Sequence, residues 1–92
     1  MLFNQYRFII IVTPNYNNQR YLKIMNRLNL NRHIFDKRYT KIISRISKSN
    51  KIEIILVGFD NKIKKKYSNL SILNLIKAID NMPLGKILKP DQ

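Results

Sequence analysis

Only two segments of this chain are apolar enough to lie in the middle of a sheet: residues 7–13, "RFIIIVT", and residues 51–59, "KIEIILVGF". Both are rich in β-branched side chains and have the length of a strand. The first is closed by Pro14, which has no amide to continue a ladder. Everything else must be arranged around these two runs, because the remainder is crowded with cations. Eighteen Lys and Arg stand against five Asp and Glu, a formal net charge of +13 over 92 residues. A chain this short makes one small domain, residues 1–92, around one core. Self-repulsion at such charge density works against compaction, so a polyanionic partner is expected. Nucleic acid leads, and an anionic membrane surface comes second.

Two helices frame the apolar runs. Tyr21, Ile24, Met25 and Leu28 fall at helical spacing within residues 18–30, with Asn17 or Asn18 as N-cap. That stripe reads as core packing. A second stripe is Ile72, Leu75, Ile76 and Ile79, capped by Ser68, Asn69 or Ser71 and ending before Pro83, since the residue ahead of a proline is pushed out of the α region. Asp60-Asn61 marks a turn, "KIKKKYSN" from residue 62 reads as a basic connector, and "GKILK" from residue 85 as a short last strand.

Residues 38–46 fit two templates. Tyr39, Ile42, Ile43 and Ile46 have the i, i+3, i+4, i+7 spacing of an amphipathic helix, yet the run leads through Ser-Lys-Ser-Asn-Lys into the β-branched "IEIILV". As a helix it gives β-α-α-β with an appended helix; as a strand it gives β-α-β-β-α-β. The strand reading explains where the charges sit. In a ferredoxin-like, split β-α-β fold, the first and third strands are central and the second and fourth are edges. Here the apolar runs are first and third, and the cation-rich "KRYTKIISRI" and "KILK" are second and fourth. Lysines and arginines on edges also block sheet-to-sheet association. The expected fold is therefore α+β, a four-stranded antiparallel sheet with two helices on one face.

Chemistry-bearing groups are sparse. Without cysteine there is no disulfide, thiolate or ordinary structural zinc site. His33 is the one histidine. Asp36, Glu53, Asp60, Asp80 and Asp91 are scattered, with no pair at helical spacing for acid–base or metal work. Glycine occurs only at 58 and 85, too few for a phosphate loop. The chain reads as a non-enzyme without cofactor, metal or small-molecule substrate. No run approaches the ~20 apolar residues of a membrane span, and neither a secretory nor a transit segment is recognisable.

What remains is a cationic surface interleaved with tyrosine. Lys37, Arg38, Lys41, Arg45, Lys48 and Lys51 surround the expected hairpin; Lys62, Lys64, Lys65 and Lys66 crowd the connector; Arg7 and Arg20 lie near the first helix. Such groups hold phosphate oxygens, while Tyr39 and Tyr67 offer rings on which bases stack. Sixteen Ile, twelve Lys and twelve Asn, all with AT-rich codons, point to an AT-rich, organellar gene.

In that order of elements the chain resembles small-subunit ribosomal protein ten of bacteria and organelles. "NQYRFIIIV" looks like its basic opening and first strand, "KRYT" with Ser44 like its second strand entering a long hairpin, and "AIDNMPLGKIL" like its closing helix, turn and last strand. The family's longer first helix and its proline-rich segment are replaced here by "LNRHIF", and its Pro-His after the hairpin serine by Arg45-Ile46. The resemblance implies a structural rRNA-binding protein of an organellar, mitochondrial small ribosomal subunit that touches neighbouring small-subunit proteins and supports translation. Residues 18–46 also resemble large-subunit ribosomal protein thirty, which would make residues 40–50 a helix. A third resemblance is to the thioredoxin-like accessory subunits shared by respiratory complex I and mitochondrial ribosomes, which keeps a basic respiratory subunit open as an alternative.

Overall fold

In the computed structural model, which describes residues 5–82, the two apolar runs are the two central strands. β1 (Arg7–Thr13) and β3 (Glu53–Val57) pair antiparallel, with Ile9 opposite Leu56 and Ile11 opposite Ile54. β2 (Thr40–Ile46) lies on the other side of β1, and β4 (Ile63–Tyr67) lies beyond β3. The order across the sheet is β2-β1-β3-β4, so the cation-rich strands are the edges.

Three helices connect and cover these strands. α1 (Gln19–Leu30) starts at Asn18, whose side chain accepts a hydrogen bond from the Tyr21 amide at 3.0 Å, satisfying one of the orphan donors of the first turn. α2 (Arg32–Asp36) is a five-residue helix that buries Phe35. α3 (Ile72–Asp80) starts at Ser71, whose hydroxyl accepts from the Asn74 amide at 3.2 Å. Strand alternation puts Ile9, Ile11, Ile54 and Leu56 on one face of the sheet. There they meet Tyr21, Ile24 and Leu28 of α1, Phe35 of α2, and Leu75 and Ile79 of α3 in one core. Each such side chain contributes about 1.5–3 kcal/mol by leaving water. The opposite face carries Phe8, Ile10, Val12, Ile43 and Ile55, all half-buried and outside that core.

The fold is α+β with four strands, but the expected split β-α-β arrangement does not hold and the sheet is not antiparallel. Residues 40–46 are extended, as the strand reading required, yet they run parallel to β1, Arg7 opposite Thr40 through Thr13 opposite Ile46. They do not form a hairpin with β3. The cause lies further along the chain. The expected connector at 62–69 contains β4, and the turn at Gly58–Lys62 folds it antiparallel onto β3. Asn61 takes φ 63° in that turn, a left-handed conformation that asparagine tolerates well. With both sides of β3 filled, β2 joins the free side of β1. The two helices before it supply the long crossover that a parallel neighbour needs. Three described helices, rather than two, sit on the core face. The expected last strand, "GKILK", lies outside the described residues.

Candidate nucleic-acid interface

Two of the expected RNA-contacting arginines serve the fold instead. Arg7 shares a face with Ile9 and Ile11 and is 2% exposed. Its Nη1 donates to the Arg38 carbonyl at 2.7 Å, and its guanidinium lies 4.2 Å from the centre of the Phe59 ring. Nε and Nη2 are buried without a hydrogen-bond partner. Burial pushes the Arg7 pKa down, Asp80 opposes that shift, and Arg38 adds to it. Arg7 is therefore removed from the surface set: a buried guanidinium does not meet a phosphate from solvent. Arg38 is half-buried and forks onto Asp80, Nε to Oδ1 at 2.8 Å and Nη2 to Oδ2 at 3.2 Å, while Nη1 donates to the Ile34 carbonyl at 3.0 Å. Its own carbonyl accepts from both Arg7 and Thr40. This corner ties the start of β1 to α2, β2 and the end of α3.

Arg20 is exposed but also engaged. Its Nη2 donates to the Ser68 carbonyl and, at 2.7 Å, to Asn69 Oδ1, holding α1 to the loop before α3. The remaining expected contacts stay on the surface and divide between the two sheet edges. Lys41 and Arg45 alternate along β2 on the open face, with the Lys41 ammonium 4.1 Å from the Tyr6 ring centre. Exposed Lys48 and Lys51 lie in the loop after β2, and Lys37 and Tyr39 just before it. The other edge carries Lys62, Lys64, Lys65 and Lys66, all exposed. Three strand spacings, on the order of 14 Å, separate the two edges. The hairpin expected to carry Lys37, Lys41, Arg45, Lys48 and Lys51 is absent, and the lysines expected on a connector stand on and beside the strand at the opposite edge.

The β4 group is the denser. Only Lys64 among its lysines is matched within the fold, by Asp60 Oδ2 at 2.6 Å. That hydrogen bond, followed by the Lys62 amide and both lysine charges, holds the Asp60 carboxyl below its usual range against the opposing effect of desolvation. Register places Lys65 opposite Leu56 and Tyr67 opposite Ile54, so both project on the helix-bearing face. Beside them runs a groove of about 610 Å³, lined by Lys64, Lys65, Tyr67, Asn74, Lys77 and Asn81, with Ala78 and Met82 supplying apolar surface. Burial raises the Tyr67 pKa, so its phenol stays protonated at neutral pH. Lys77, Asn74 and Asn81 are absent from the expected site. Their signal was present as a polar stripe at 74, 77 and 81, beside the apolar face of α3.

Among the described residues, no three His, Asp or Glu side chains converge as metal ligands, and no helix is long and apolar enough to cross a membrane. No protein-family model matches the sequence, and no curated protein or solved structure is detectably similar to it.

Proposed function

We propose that this chain is a structural rRNA-binding protein of a mitochondrial small ribosomal subunit, where it neutralises phosphates, braces RNA against neighbouring proteins and so supports translation. β4 carries the reading. Four exposed lysines fall within five residues on and beside an edge strand, and among the described residues only Lys64 of the four has a carboxylate partner, Asp60. One or two lysines are enough to discourage edge-to-edge pairing of sheets; this number, in a +13 chain, suits a polyanion. If six to ten cations meet phosphates, affinity for RNA falls about 10³- to 10⁵-fold between 50 and 200 mM salt. A binding curve that hardly moves over that range removes the reading.

The topology favours a second reading of the family. The resemblance to ribosomal protein ten implies β2 paired with β3, whereas here β2 is parallel to β1. A βαβ unit followed by a ββα unit in the order β2-β1-β3-β4 is a thioredoxin-like arrangement, which supports the third resemblance. With no cysteine, that arrangement brings no dithiol chemistry. Such subunits occur in mitochondrial ribosomes and in respiratory complex I, and fold alone does not choose between them. Sedimentation of the native protein chooses. Travel with ribosomal RNA, and release by ribonuclease, supports the ribosomal reading; persistence with a membrane complex after ribonuclease treatment supports the respiratory one.

A further inference from the structure

We infer that the groove between β4 and α3 holds one unpaired nucleotide of the bound RNA, its phosphate at Lys65 and Lys77 and its base against Tyr67, Asn74 and Asn81. The inference rests on the RNA-binding reading and adds a defined subsite to it. Three observations meet here. The first is position: Lys65 lies on the helix-bearing face opposite Leu56, which is fully buried, where the pattern of the other strands calls for an apolar side chain. The second is composition. The groove is lined by three lysines, an aromatic ring and two carboxamides, with no carboxylate among the described lining residues. Asn side chains offer both donors and an acceptor, which matches the mixed edge of a base. Ring surface offers stacking to any base. The third is size, since about 610 Å³ lies within the range of small-molecule pockets.

A duplex does not need such a groove. Double-stranded RNA hides its bases and is read by shape and by backbone contacts, whereas splayed-out single-stranded bases are stacked and hydrogen-bonded. The flat lysine edge of β4 is enough for phosphates alone. Lys64 is already bridged to Asp60, which leaves Lys65 and Lys77 as the pair facing the groove with no carboxylate partner among the described residues. Tyr67 keeps part of its ring against the core, so the platform is fixed before RNA arrives.

The test uses the full chain with two probes, a short single-stranded oligoadenylate and an RNA duplex. Tyr67→Leu keeps apolar bulk and removes the ring; it is expected to weaken oligoadenylate binding by roughly 5- to 150-fold, the range for loss of one base–aromatic stack. Asn74→Ala with Asn81→Ala changes only exposed side chains, so it reports even if Tyr67→Leu misfolds, and it too is expected to weaken oligoadenylate more than duplex. Lys77→Gln should weaken oligoadenylate more than Lys23→Gln, at an exposed position of α1, does. Equal losses for both probes, or none in the asparagine pair, overturn the subsite while leaving RNA binding standing. Failure of the wild-type chain to bind either probe at low salt overturns the RNA reading and the subsite together.

Discussion

The corner built from Arg7, Arg38 and Asp80 and the lysines of β4 are both cationic clusters on one small domain, yet they do opposite things. In the corner, arginine forks reach carbonyls and a carboxylate and pull four elements together. On β4, lysines stand on a strand whose described residues are exposed apart from Tyr67. The difference follows from chemistry. A planar guanidinium with five donors satisfies several fixed acceptors and tolerates partial burial, while an ammonium is a compact, strongly hydrated point charge. The side chains of Arg7, Arg20 and Arg38 all hydrogen-bond within the fold, whereas among the β4 lysines only the Lys64 side chain does so within the described residues. Charge count alone therefore overstates the binding surface; what removes Arg7 and Arg38 from it is burial and fixed acceptors, while Arg45 stays exposed.

The sharpest way to break this comparison is to neutralise β4. Replacing Lys62, Lys64, Lys65 and Lys66 together by Gln should flatten the dependence of log affinity on log salt by about three to four. The thermal midpoint should stay level or rise as self-repulsion falls. An unchanged salt slope in RNA titrations would show that β4 is not the contact surface. Asp80→Asn should do the reverse. It leaves two neighbouring arginines without their carboxylate and is expected to cost about 1–3 kcal/mol, the scale of a hydrogen bond to a charged group, reduced by partial solvent exposure. Denaturant melts read that loss, and the salt slope for RNA should not move. The smallest effect is at Asp60. Its pKa is depressed in the folded protein, so its contribution is present above the ordinary carboxylate range and is lost as pH falls through the depressed value. Acid titration should show the Lys62 amide, bonded to Asp60 Oδ1 at 3.1 Å, losing protection relative to its intrinsic exchange rate below that point. Protection at Lys62 that stays constant across the titration would mean that the Asp60 contacts contribute nothing to the turn.

Much of the architecture was legible because it depends on local pattern. The two apolar runs could only be central, the stripes and caps of α1 and α3 stand in the sequence, and the strand reading of residues 38–46, which holds over Thr40–Ile46, followed from where charge was placed. Pairing partners were not legible. One strand's alternation says which face is buried but not which strand lies beside it, so parallel pairing of β2 with β1 left no local trace. β4 was hidden because Lys64, Lys65 and Lys66 supply no apolar alternation; it is a strand because the turn at Asp60-Asn61 lays it on β3. The burial of Arg7 could have been read, since period two puts it on the face of Ile9 and Ile11. The groove has no local signature in the sequence, because part of its lining lies on β4, whose lysines show no apolar alternation.

The central place of β1 also governs how the chain gets to this structure. β3 and β4 meet across a tight turn, and hairpins of that kind form in about 1–10 μs. β1 has no such local partner: one neighbour lies beyond two helices and the other lies further still. Contacts between distant segments close late and slow folding. During synthesis the Phe8–Val12 run leaves the ribosome first and waits, apolar and unpaired, for both flanking strands, the condition under which chains associate with one another. Contact order alone therefore predicts that the seating of β1 between its two neighbours comes late in folding.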